Sequence, residues 1–169
     1  MDYCYRKIFP KEFNCVIIGI YNSTLIHEQD GVWRELLSFF RQLGDANFLL
    51  IGDFNQVRKE SDRLPPLANG LGMQQFNDFV SNANLLEMVL HGSRFTWQNR
   101  KSCSYIDRAF VSSGWVYKFP FLNLMTLPRG PSDHHPLWLS SVRENHGPLP
   151  FRTLDCWWDF FGFRKIIKK

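Results

Sequence analysis

Residues 47–55 read N-F-L-L-I-G-D-F-N. Phe48, Leu49, Leu50 and Ile51 form a short continuous apolar run, the pattern of a strand buried on both faces, and Gly52 lets the backbone turn closely where that strand ends. Asp53 and Asn55 stand two apart, so in an extended chain they project from one face at the strand's carboxyl end. A carboxylate and an amide directed together into one pocket make an active-site geometry. The same residues also read as a strand closed by an Asx turn, because Asp and Asn both favour turns. The rest of the chain bears on the choice: two further acidic positions lie in similar settings, and the second has a histidine beside it.

Upstream, residues 15–20 (C-V-I-I-G-I) are another apolar, β-branched run, with Tyr21-Asn22-Ser23 as its polar exit. Tyr21 reads equally as a half-buried aromatic and as a phosphate contact. Asp30 is placed to cap a helix whose apolar positions Val32, Leu36, Phe39, Phe40 and Leu43 keep the helical period, with Gly44 as terminator. Strand, helix, strand is an α/β signature, with the helix covering one sheet face. Downstream, residues 56–72 mix charges with Pro65, Pro66, Gly70 and Gly72 and read as a loop of functional length. Met73, Phe76, Phe79, Val80 and Ala83 mark a second amphipathic helix, and residues 85–90 return as a strand.

Residues 95–97 and 105–111 read as the two strands of a hairpin joined by the basic loop 98–104, with Trp97 more often core than ligand platform in such a setting. Asp107 interrupts the second of these strands, where an unpaired buried carboxylate is costly. It therefore needs a partner: a histidine, a cation or a metal, or more locally Arg108 or a backbone amide. Ser132-Asp133-His134-His135-Pro136 follows the turn at 128–131 and precedes a last strand at 137–140. A carboxylate beside an imidazole supplies a metal ligand and a general base, the pair that activates water near neutral pH. His135 reads as a solvated loop residue.

The 169 residues fit one domain, and 44% hydrophobic with 16% aromatic content is enough for a sizeable core. A net charge of +4 permits a polyanionic partner without demanding one. Cys4, Cys15, Cys103 and Cys156 are too scattered to signal zinc or a disulfide framework, which makes a reduced intracellular setting the default. No apolar run approaches the roughly 18 residues of a membrane span, and the first thirteen residues lack a secretory core. Residues 1–143 read as the domain. Residues 144–169, polar and then crowded with Phe, Trp, Arg and Lys, read as a linker and tail.

Taken in order, G-D-F-N at 52–55, F-T-W at 95–97, I-D-R at 106–108 and S-D-H at 132–134 resemble the endonuclease/exonuclease/phosphatase superfamily. More narrowly the chain resembles the apurinic-type endonuclease domain of plant LINE-type (non-LTR) retrotransposon polyproteins, a likeness that also draws on the exit at Tyr21, the helix from Gly72 and the tail from Pro150 to Trp157. The resemblance implies a four-layered α/β sandwich, two packed mixed sheets flanked by helices. It implies a DNA-nicking endonuclease, hydrolysing a phosphodiester with Mg2+ or Mn2+ and acting on DNA in the nucleus; the sequence itself points to no membrane and to no obligate protein partner. In that scheme His134 is base or phosphate contact and Asp107 orients it. Asp53 positions the water, while Asn55 steadies Asp53 and stabilises the transition state. Asp133 binds metal or supports the histidine, and Tyr21 touches the phosphate. The family's early metal-binding asparagine and glutamate have no match before Cys15, where Glu12 stands out of position. The domain is therefore expected to be the carboxyl-terminal two-thirds of the family's, an incomplete sandwich. The alternatives are a catalytically inactive remnant that still binds nucleic acid through Arg94, Arg100, Lys101 and the tail, or a phosphatase or phospholipid phosphodiesterase of the same fold.

Overall fold

In the computed structural model, which describes residues 2–8, 13–66 and 70–141, the run around Leu50 is a central strand, as its two-sided apolar pattern predicts. In chain order the elements are β1 (Asp2–Ile8), β2 (Cys15–Tyr21), α1 (Ile26–Leu43), β3 (Asn47–Asp53), β4 (Arg63–Leu64), α2 (Gly70–Asn82) and β5 (Leu86–Glu87). There follow β6 (Leu90–His91), β7 (Trp97–Gln98), β8 (Cys103–Ser104), β9 (Asp107–Val111), α3 (Ser113–Lys118), β10 (Asn123–Thr126) and β11 (Leu137–Ser140). The tail expected at 144–169, Glu12 and the residues around them lie outside the described residues.

Five strands make one mixed sheet in the order β1-β2-β3-β9-β5, in which β2 and β3 are parallel and the other neighbours antiparallel. A parallel pair needs a crossover, and α1 supplies it. Because successive side chains alternate between faces, Phe48, Leu50 and Phe110 turn to α1 and α2, where they join Trp33, Phe76 and Phe79. Trp33 stacks on Phe76 and Phe79 with centroids 5.1 and 4.8 Å away, and rings of this size each contribute about 1.5–3 kcal/mol on burial. Leu49 and Val111 take the opposite face and pack with Trp115 of α3 and Leu139 of β11. That contact seats the second sheet, β11-β10-β6, against the first. A third small sheet, β4-β8-β7, closes one edge. The architecture is α/β, with packed mixed and antiparallel sheets flanked by helices.

Several local expectations are corrected. The first helix does not begin after Asp30: Glu28 and Gln29 donate their backbone N–H groups to the Leu25 carbonyl, Ser23 Oγ accepts from Leu25 N, and the helix starts at Ile26. Asp30 sits inside it and pairs with Arg34 at 2.6 Å. The hairpin strand that partners Trp97 is Cys103–Ser104, while the segment from Asp107 belongs to the large sheet, because five consecutive buried residues need cover on both sides. The strand expected at 85–90 is two short strands in different sheets. The long loop after Asn55 contains a 3-10 turn at Glu60–Asp62 and β4, and ends where α2 begins at Gly70. Among the described residues no helix is long and apolar enough to cross a membrane.

Candidate active site

Asp53 ends β3 with the same parity as Leu49, so its carboxyl emerges between the two sheets at one edge. The ladder opposes Asp53 to Asp107 on one side and to Tyr21 on the other, which sets the three in a row across adjacent strands. Directly opposed residues hold their Cβ atoms about 5 Å apart, so the row is a direct product of register. Gly52 is required just before it. Its φ is +141°, and a Cβ there would lie 2.1 Å from the Ile20 carbonyl oxygen of the neighbouring strand.

Of the two readings of the strand's exit, the Asx turn is the one the structure takes: the strand ends at Asp53, so extended-chain alternation does not carry to Asn55. Asn55 N–H donates to Asp53 Oδ1 at 2.8 Å, which is an Asx turn, and this same bond fixes the carboxylate's orientation. Asn55 adopts φ +49°, a conformation asparagine tolerates better than most residues. Its Nδ2 donates to the Asn22 carbonyl at 2.7 Å. Burial raises the Asp53 carboxyl from 3.8 to about 6; the Asn55 N–H opposes that rise and the Asp107 charge adds to it.

His134 reaches the site from the other side. Its loop is stitched to the F-T-W strand: Gln98 N donates to the Asp133 carbonyl at 3.0 Å and His135 N to the Thr96 carbonyl at 2.7 Å. Thr96, fully buried, turns its Oγ1 to the backbone N–H groups of Ile106 and Asp107 at 3.2 and 2.9 Å. One threonine thereby joins both halves of the pair. His134 Nδ1 lies 3.1 and 2.9 Å from the two Asp107 oxygens. The buried Asp107 has found a histidine, and Arg108 is not its partner: the alternation of the strand sends Arg108 to the other face, where it pairs with Asp62 at 2.6 Å and with Glu87.

Asp133 is fully exposed, and its Oδ2 accepts the Trp97 indole N–H at 2.8 Å, which holds its carboxyl below the usual range. Trp97 is thus a partly buried hydrogen-bond donor instead of a core residue. His135 is not merely solvated, since its Nδ1 bonds the Leu127 carbonyl at 3.0 Å. Tyr21 is 68% exposed at the rim. Nothing in the sequence marks Thr96 beyond its place between Phe95 and Trp97.

One ligand atom from each of Asp53, Asp107 and His134 can be chosen so that all lie within 4.8 Å of one another. The two carboxylates are 8% exposed, side by side, and bonded to a backbone amide and an imidazole. Burial, and then the Asp107 charge, disfavour the ionised form of Asp53, and a hard divalent cation is a partner that would relieve this. The donor set therefore fits such an ion. Asp133, on Trp97, stands outside this cluster. A cavity of about 450 Å³ borders Asp107 and His134, and another of about 420 Å³ lies beside Asn55, lined among others by Trp97, Ser104, Ile106 and Arg63.

Comparison with known proteins adds the frame. The chain is similar in fold to the endonuclease domain of TRAS1, a telomere-specific non-LTR retrotransposon, with a TM-score of 0.65 and 14% identity over 81% of this chain and 60% of that one. The 3' phosphatase NExo from Neisseria, bound to a product DNA hairpin, matches at 0.58 and 18% identity over 73% of this chain and 59% of that one. A beta-toxin variant from Staphylococcus aureus with bound magnesium ions matches at 0.52 and 16% identity over 82% and 53%. The chain thus spans between 53% and 60% of the length of these structures. No curated protein matches it by sequence. Residues 6–134 match the endonuclease/exonuclease/phosphatase family, and the chain belongs to that family.

Proposed function

We propose that the chain carries the catalytic centre of a divalent-metal-dependent DNA endonuclease of the non-LTR retrotransposon type, LINE-like, and that it corresponds to the later part of that domain. The observation that carries the proposal is the Asp107–His134 pair beside Asp53. Asp107 accepts from Nδ1–H, which selects the tautomer whose Nε2 can take a proton or contact a phosphate oxygen. Asp53, ionised at neutral pH, can accept a hydrogen bond from the attacking water and orient it. Asn55 keeps one Nδ2–H beyond its bond to Asn22 for a phosphoryl oxygen. The Tyr21 hydroxyl at the rim can reach the same phosphodiester. Asp53 and Asp107 would hold a divalent ion, and such an ion would supply charge stabilisation for the phosphoryl group and a lower pKa for water. Asp133 acts through Trp97, by holding the His134 loop to the F-T-W strand.

The cavity beside Asn55 favours a nucleic-acid substrate over a lipid headgroup. Trp97 and Ile106 offer stacking and apolar surface for a base, and Arg63 offers charge for a phosphate. A specific observation supports the inactive reading too: among the described residues the cluster contributes two carboxylates, fewer oxygens than a hard cation takes. Magnesium commonly binds through one or two carboxylates together with water and substrate phosphates, which supports binding through these two when DNA is present. The test is conversion of supercoiled plasmid to the nicked circle in Mg2+ or Mn2+. Nicking lost in both His134→Ala and Asp53→Ala supports the proposal. No nicking by folded chain, or nicking that survives either substitution, overturns it.

A further inference from the structure

We infer that Gln29, outside the Asp53, Asp107 and His134 cluster, is a positioning residue that locks the loop after Tyr21 to the loop after Asp53; what this lock serves rests on the endonuclease reading above. Gln29 lies in the first turns of α1 and is 1% exposed. Its Nε2 donates to the Ser23 carbonyl at 2.7 Å and to the Asn55 carbonyl at 3.2 Å. Its Oε1 accepts from Gln56 Nε2 at 3.0 Å. Every hydrogen-bonding direction of the amide except one oxygen lone pair is committed, and the two carbonyls it ties belong to the two loops that present Tyr21 and Asn55.

The surrounding bonds make this a closed device. Asn22 N donates to the Asp53 carbonyl at 2.9 Å, and the Asn22 carbonyl accepts from Asn55 Nδ2 at 2.7 Å. Gln56 is itself fixed, its Oε1 accepting from Val57 N at 2.9 Å. The helix α2 leaves room for it, since a Cβ on Gly72 would lie 2.3 Å from Gln56 Nε2. Asn55 holds a left-handed backbone, a conformation that persists where the surroundings over-determine it. A glutamine suits the task because one nitrogen carries two N–H groups and so bridges two carbonyls. Glutamate has no donor at all, and methionine fills the space without bonding.

The experiment compares Gln29→Met and Gln29→Lys with the parent chain, first by amide hydrogen exchange without metal or DNA. In Gln29→Met, exchange at residues 22–23 and 54–57 should rise at least about 10-fold while Leu50 and Phe110 keep their protection. Lysine can donate to both carbonyls but offers Gln56 Nε2 no acceptor, so protection should return at residues 22–23 and 54–55 and stay low at 56–57. Unchanged exchange in folded Gln29→Met overturns the inference. So does Gln29→Lys loosening α1 and the sheet as much as the loops, which also decides the matter if the methionine variant does not fold. Nicking adds a second readout: kcat lower by about 100-fold with KM within about twofold, as expected for small misplacement of reacting groups; an unchanged kcat overturns it. If the parent chain nicks no DNA the endonuclease reading fails, and exchange alone decides the role of Gln29.

Discussion

Replacing Asp53 by Asn should make the protein more stable at neutral pH while removing its use for the cation. The folded carboxyl titrates at about 6 against 3.8 for an ordinary aspartate, chiefly because it is buried and then because Asp107 faces it. In the unfolded chain the proton leaves near 3.8. Between these values unfolding releases a proton, so rising pH favours the unfolded state; the penalty is absent below the lower value and complete above the upper one. A difference of roughly two pH units is worth about 3 kcal/mol, and solvent at the sheet edge reduces this to about 2 kcal/mol. Asparagine keeps the acceptor for Asn55 N–H and can donate to Asp107. Urea unfolding with chelator present, at pH 4 and pH 7, should show parent and variant nearly equal at the lower pH and the variant ahead by about 2 kcal/mol at the higher. Manganese should then raise the parent's midpoint at pH 7 and leave the variant's unmoved. Parallel stability curves for the two proteins between pH 4 and 7 would refute the argument that the Asp53 carboxyl is held at an unfavourable charge.

Arg108→Met should cost about 3–5 kcal/mol, because it leaves the buried Asp62 carboxylate without its guanidinium; the urea midpoint reads this directly, and a change under about 1 kcal/mol would contradict it. Trp97→Phe removes the indole N–H from Asp133 and should let that carboxyl return upward toward its ordinary value, followed by carboxyl carbon shifts across an acid titration. Gly52→Ala should destabilise by more than about 3 kcal/mol through strain and displacement of β2, seen as a lowered melting temperature or loss of folded protein.

Side-chain needs were more legible in the sequence than the strand pairing. The turn preference of Asp and Asn marked the bond between Asp53 and Asn55, where the extended spacing did not carry past Asp53, and the cost of a lone buried carboxylate marked Asp107 as having a partner, which is His134. The opposition of Asp53 to Asp107 was not legible, because it follows from Leu49 pairing with Val111, a non-local register that neither segment encodes alone. The hairpin was misassigned for a related reason. Cys103 and Ser104 have no strand-like apolar signature, whereas the apolar run from Ala109 does, and periodicity cannot say which sheet a buried strand joins. Asp30 has a capping side chain, but Gln29 is drawn into the interior by two loop carbonyls, and that tertiary demand starts the helix earlier. The helix α3 and strand β10 are too short for a period to show, and α3 buries only Trp115.

The row of Tyr21, Asp53 and Asp107 has a consequence for how such a protein can change. Its members are addressed by rungs of the ladder and not by their distance along the chain, so the long excursion between the two carboxylates can gain or lose residues without altering how they face each other. A single residue inserted within β3 or β9 is a different matter, because every side chain beyond it flips to the other face. Loops within that stretch can therefore vary in length while Asp53 and Asp107 stay opposed, provided that α2 and Thr96 keep their places. Tolerance to insertion and intolerance of slippage meet within a few residues of each other.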